Sequence, residues 1–254
     1  MNPQLYRAAS SGDLSFFERL ADSETLVDVT TEKSTVLHVA VQCNHLQVAQ
    51  KIVELRPSLL YQTNSKGNTP LHVAARVGSH SMVKFLVEHT KSLDVEAGGH
   101  KILSMVNLVK DTALHLAVRY DKYEAVKELI NGDPELGTFT NSAGESALFL
   151  AVDRELYEIA SQILSATSKC SFAGRYGMNV LHAIALRSSP WEEDGRELWL
   201  GIAVSSMGLG VVEVAAIEIV ELEGAVEEEA ITEFDAAMVE LFVEIKGFDT
   251  MKKF

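Results

Sequence analysis

Eight histidines and two cysteines are the side chains in this 254-residue chain best suited to hold a metal, carry a proton or act as a nucleophile. Each of those chemistries needs groups that converge on one point. Cys43 and Cys170 stand far apart, in no CxxC spacing and without a credible basic neighbour to lower a thiol pKa. The histidines form no HExxH and no Cys/His cluster. Four of them, His38, His72, His115 and His182, instead follow one short pattern: Thr35-Val36-Leu37-His38-Val39-Ala40, Thr69-Pro70-Leu71-His72-Val73-Ala74, Thr112-Ala113-Leu114-His115-Leu116-Ala117 and Asn179-Val180-Leu181-His182-Ala183-Ile184. A histidine used once per copy is expected as a structural strut, bonding a backbone group of its own turn and one of the adjacent loop. His45 and His80 fall at a second recurring place, just after the turn that ends the same helix. There is no GxGxxG, GxxxxGK[ST] or GxSxG motif, so no phosphate loop or nucleophile elbow is present. The chain is expected to be non-enzymatic, with no cofactor, no metal and no small-molecule substrate.

The elements that position these residues follow from the period. Equivalent leucines at 5, 37, 71, 114, 148 and 181 are spaced by 32, 34, 43, 34 and 33 residues. In the best-preserved copy Gly67 supplies a turn, Thr69 an N-cap and Pro70 the first helical position. A second apolar helix follows about ten residues on, as in Ser81-Met82-Val83-Lys84-Phe85-Leu86-Val87. Gly12, Asn44, Gly78, Asp121 and Glu155 stand between the two helices. Glycine and asparagine accept a left-handed helix end, whereas Asp121 and Glu155 predict looser or rearranged turns in the fourth and fifth copies. The 43-residue spacing predicts an enlarged loop at 90–108, with a turn at Gly98-Gly99.

One such helix pair cannot bury its apolar face alone, so the copies must stack. The expected fold is an all-α repeat solenoid of about six helix–turn–helix units with loops projecting as fingers. The units fall near 2–30, 31–63, 64–98, 108–140 and 141–173, with a partial one at 174–189. Solvent-facing positions are then the finger residues Glu32, Lys66, Asn68, Asp111 and Glu145, and the inner-helix ends Arg76, Arg119, Tyr120, Asp153, Arg154 and Arg187. The arginines stand one to a repeat at or next to the same place. They read either as a guanidinium ladder gripping acidic partner side chains in bidentate fashion or as an ordinary solvated face.

Charge narrows the partner. The chain carries a formal −14, which disfavours nucleic acid and anionic membrane surfaces. Residues 1–189 hold 20 acidic against 18 basic side chains, while residues 190–254 hold 16 against 4. A nearly neutral body therefore precedes an acidic Val/Glu/Ala-rich segment. Two lone cysteines suit a reducing compartment. The opening residues have no apolar core of a secretory signal, and the 15-residue apolar run 198–212 is short and glycine-rich for a membrane span.

The period near 33 with T-P-L-H-x-A resembles the ankyrin repeat. The opening Met1-Asn2-Pro3-Gln4-Leu5-Tyr6-Arg7-Ala8-Ala9, the stretch Leu59-Leu60 through Ala75, and Val106-Asn107 followed by Lys110-Asp111-Thr112-Ala113-Leu114-His115 resemble the plant accelerated-cell-death-type ankyrin proteins over residues 1–189. That family carries further repeats and C-terminal membrane helices, and is linked to defence, cell death and salt stress. The resemblance implies a protein-interaction scaffold in a cytoplasmic signalling complex, often at the plasma membrane. It also implies an alternative: a truncated or variant form acting by association with full-length relatives at the membrane. After Pro190-Trp191 the period stops. In the tail, Phe234, Met238, Leu241, Phe242 and Ile245 share a helical face that could cap the stack; the composition shift favours the other reading, a poorly packed acidic tail.

Overall fold

The computed structural model describes residues 1–20, 26–97, 102–167, 169–180 and 183. Ten α-helices occur among them, in five consecutive pairs. The pairs are α1 (Pro3–Ser11) with α2 (Leu14–Glu18), α3 (Val36–Gln42) with α4 (Leu46–Leu55), α5 (Pro70–Val77) with α6 (His80–Ala97), α7 (Ala113–Arg119) with α8 (Tyr123–Gly132), and α9 (Ala147–Asp153) with α10 (Tyr157–Ala166). Extended pairing among the described residues is confined to two isolated bridges, Thr140 with Ser146 and Ala173 with Asn179. Of the helix pair expected for the partial sixth unit only Val180 and Ala183 are described; His182, Arg187 and the tail cap at 234–245 lie outside the described residues.

Inner helices pack on inner helices, α1 to α3 to α5 to α7 to α9, and outer on outer, α2 to α4 to α6 to α8 to α10. Two residue types explain the inner layer. Leu37, Leu71, Leu114 and Leu148 fill it, and the fully buried Ala40, Ala74, Ala117 and Ala151 let neighbouring helices approach closely. The result is one continuous core running from Leu5 to Ala183. Among the described residues no helix is long and apolar enough to cross a membrane.

Two expectations are corrected. The inter-helix turns at Asp121 and Glu155 are not rearranged: both adopt left-handed φ values, 54° and 61°, beside 59° at Asn44. In each case the next residue closes the same backbone bond, His45 N–H to Ala40 O, Lys122 N–H to Ala117 O and Leu156 N–H to Ala151 O. Stacking dictates where the second helix must lie, and the turn complies whatever side chain it carries, at a local cost of about 1–2 kcal/mol. The enlarged loop, second, begins later than residue 90. Helix α6 continues to Ala97 because Lys91 to Ala97 contains no glycine or proline.

Candidate interaction surface

Three of the fingers are built by one local rule. Asn64, Asn107 and Asn141 accept two backbone N–H bonds on their side-chain oxygens, from Lys66 and Asn68, from Val109 and Asp111, and from Ala143 and Glu145. This is the Asx-turn habit of asparagine, and it closes the finger tip without help from the rest of the fold. The tips then join one another: Ser65 N–H donates to Glu32 O at 2.8 Å, Leu108 N–H to Lys66 O at 3.2 Å and Ser142 N–H to Val109 O at 2.9 Å.

Histidine ties finger to helix. In α5, the Thr69 N–H and hydroxyl both meet His72 Nδ1, at 3.3 and 2.8 Å, and Nε2 donates to the Asp111 carbonyl at 3.0 Å. His38 repeats this with Thr35 and the Asn68 carbonyl, and His115 with Thr112 and the Glu145 carbonyl. An Nδ1 that accepts and an Nε2 that donates define a neutral ring. Burial enforces the same state, lowering His38 and His72 from 6.5 to about 4 and His115 in the same direction. Two further histidines have other roles: His45 Nε2 reaches the Ser10 carbonyl at 3.0 Å, and His80 lies 3.6 and 3.7 Å from Glu124 and Glu128. Among the described residues no group of three or more His, Cys, Asp or Glu is placed to hold a metal ion.

The expected contact residues separate into two sets. Glu32, Lys66, Tyr120 and Arg154 are exposed, although Glu32 also accepts from the Ser65 hydroxyl. Asn68, Asp111 and Glu145 are corrected: they are 7%, 3% and 6% exposed and serve the stack rather than its surroundings. Asn107 Nδ2 donates to Asn68 Oδ1, and Asn141 Nδ2 is shared between the Asp111 and Glu145 carboxylates at 3.0 Å each. The guanidinium ladder is corrected with them. Arg119 Nη2 bonds both Asp111 oxygens at 3.2 and 3.3 Å, and Arg76 bonds Gln42 of the preceding repeat. Arg119 thus holds a carboxylate of its own repeat and Arg76 an amide of the preceding one, so both guanidinium groups are engaged within the stack.

At the last described interface the pattern changes. Phe149 stands where the histidine would be and is fully buried. The N-cap N–H that histidine would receive, that of Ser146, goes to the Ala173 carbonyl at 2.9 Å. A Cβ on Gly174 would come within 2.1 Å of the Phe149 ring, so only glycine fits beside it. Arg175 then crosses the ring face, 5.6 Å from its centroid, and bonds Glu145 at 3.0 Å and both Asp153 oxygens at 3.0 and 2.9 Å. Asp153 is thus engaged internally, half-buried against Arg175. The sequence reading missed Arg175, whose signal was its place one residue after Gly174 in the sixth finger.

The family profile described as ankyrin repeats in three copies matches residues 5–97 and 96–173. The chain is 28% identical to Protein ACCELERATED CELL DEATH 6 of Arabidopsis thaliana over 176 residues, 66% of this chain and 26% of that protein. It is 32% identical to leucine-rich repeat serine/threonine-protein kinase 1 of Caenorhabditis elegans over 133 residues, 48% of this chain and 6% of the kinase. With the probable 26S proteasome regulatory subunit p28 of Saccharomyces cerevisiae it shares 25% identity over 154 residues, 59% of this chain and 63% of that subunit. The chain therefore spans about a quarter of the Arabidopsis protein and a small fraction of the kinase. With stacked helix pairs, histidine-tied fingers and a profile match over more than half its length, the chain belongs to the ankyrin repeat family.

Proposed function

We propose that the stack is a non-enzymatic scaffold that binds a protein partner in plant stress, defence or cell-death signalling. One observation carries the reading. Tyr120 and Arg154 are exposed at the same inner-helix end of successive repeats, where Arg76 and Arg119 are taken up by the stack. Tyrosine and arginine are among the residue types most enriched at the energetic centres of protein interfaces. Likeness to the Arabidopsis protein supports the signalling context, and the free thiols Cys43 and Cys170 suit a cytoplasmic stack held at the plasma membrane through its partner.

The test is proximity labelling in leaf cells with the full chain and its Tyr120→Ala/Arg154→Glu variant. A partner held at this site loses labelling at least tenfold in the variant, since two such residues are worth more than about 2 kcal/mol together. Equal labelling by both proteins refutes this surface.

A further inference from the structure

The finger row carries a second patch of exposed side chains, on residues whose backbone makes the finger-to-finger bonds. Leu108 and Val109, at the tip of the fourth finger, are 75% and 51% exposed, and Tyr176, at the tip of the sixth, is 92% exposed. In chain order the patch brackets the fifth finger tip, Ser142-Ala143-Gly144, whose Ser142 N–H bonds the Val109 carbonyl. Lys66 borders the patch, its carbonyl bonded to the Leu108 N–H, and Lys110 rises from the same turn as Leu108. Both lysines are exposed, and neither is in an ion pair among the described residues. Tyr176 holds a left-handed φ of 57°, an arrangement that a tyrosine adopts only at some cost. The ridge is thus apolar at its points and basic along its flank, in a protein whose formal charge is −14.

The chain contains the complement. Residues 211–230, beyond the described residues, hold seven glutamates and no lysine or arginine, interleaved with Val, Ile and Leu. They follow the last described residue, Ala183, after 27 intervening positions, a span of roughly 90 Å at full extension. The site at Tyr176 is seven residues before Ala183, so reach is no obstacle. A segment on the same chain meets its site at an effective concentration on the order of mM, ahead of any free competitor of equal affinity. A second copy of the chain would bring lysine against lysine at this ridge.

We propose that residues 211–230 dock on the finger ridge, their apolar side chains on Leu108, Val109 and Tyr176 and their glutamates on Lys66 and Lys110. The inference stands apart from the Tyr120–Arg154 site and does not depend on the partner proposed for it.

Zero-length carbodiimide coupling of the full-length protein tests it, because amide bonds form only between amines and carboxylates in contact. The expected products are intrachain cross-links from Lys66 and Lys110 to glutamates of 211–230. They should fall at least fivefold in Leu108→Ser/Tyr176→Ser, which removes two exposed side chains and leaves both lysines, and again in high salt. Lys66 and Lys110 should also become more reactive to an acylating reagent in that variant, while Lys51, paired with Glu54, stays unchanged. Equal coupling in variant and wild type overturns the proposal. So do cross-links found only between isotopically distinct copies, or binding of the ridge to phosphatidylserine vesicles without any cross-link to 211–230.

Discussion

The interface between α5 and α7 and the one that follows α9 solve the same problem with opposite chemistry. At the first, His72 links Thr69 to the Asp111 carbonyl through a buried polar ring. At the second, Phe149 fills the same place with a dry ring, and the polar work moves outward to Arg175 and its two carboxylates. The difference shows what the position requires. It must fill space under the next finger and leave no N–H unmet, and Ala173 meets the Ser146 N–H once histidine is gone. Histidine is one solution and not the requirement.

Removing the dry ring should have the largest effect. Phe149→Ala should cost about 3–5 kcal/mol in denaturant unfolding, with hydrogen exchange rising first over residues 141–180. A loss below 1 kcal/mol would mean the ring is not a structural plug. The converse exchange, His72→Phe, should cost about 3 kcal/mol, because the Thr69 N–H and the Asp111 carbonyl lose their partners in a buried site. If His72→Phe were neutral, the two interfaces would be interchangeable and the contrast would fail.

Acid separates the two without mutation. With folded values near 4 against 6.5 unfolded, His38 and His72 take up protons on unfolding, so stability falls as pH drops from about 6.5 towards 4. At pH 5 the loss is about 2 kcal/mol for each. Unfolding midpoints at pH 7.5 and 5 measure it, and exchange protection should fade over 31–120 before 141–180. A flat profile would show that the rings are not held neutral. The smallest effect carries the opposite sign: Glu155→Gly should stabilise by about 0.5–1 kcal/mol, since φ of 61° suits glycine and the turn is otherwise complete. No gain in the unfolding midpoint would show that Glu155 compensates locally.

The repeat was plain in the sequence because Thr, Leu, His and Ala each serve one step of the same local construction, and copies reinforce one another. The turns at Asp121 and Glu155 were misread because propensity describes a residue alone, whereas the stack fixes the path of its chain. Asn68, Asp111 and Glu145 looked like contact residues for a related reason. Their polarity is visible in sequence, but most of the asparagine and arginine side chains that consume it stand 8 to 39 positions away. Tyr120 and Arg154 were legible as surface, being polar or amphipathic at the solvent-facing end of the inner helix.

Phe149 and Gly174 have a consequence for how this sequence can change over time. A histidine at 149 would bring a buried ring nitrogen to a place where Ala173 already satisfies the Ser146 N–H, and any side chain at 174 would strike the phenylalanine ring. Neither substitution is tolerable as a first step, so the two positions are epistatic and must move together. Descendants of this chain are therefore expected to carry the pair intact or to have replaced both, and a collection rich in single replacements would show the pocket to be more forgiving than its distances.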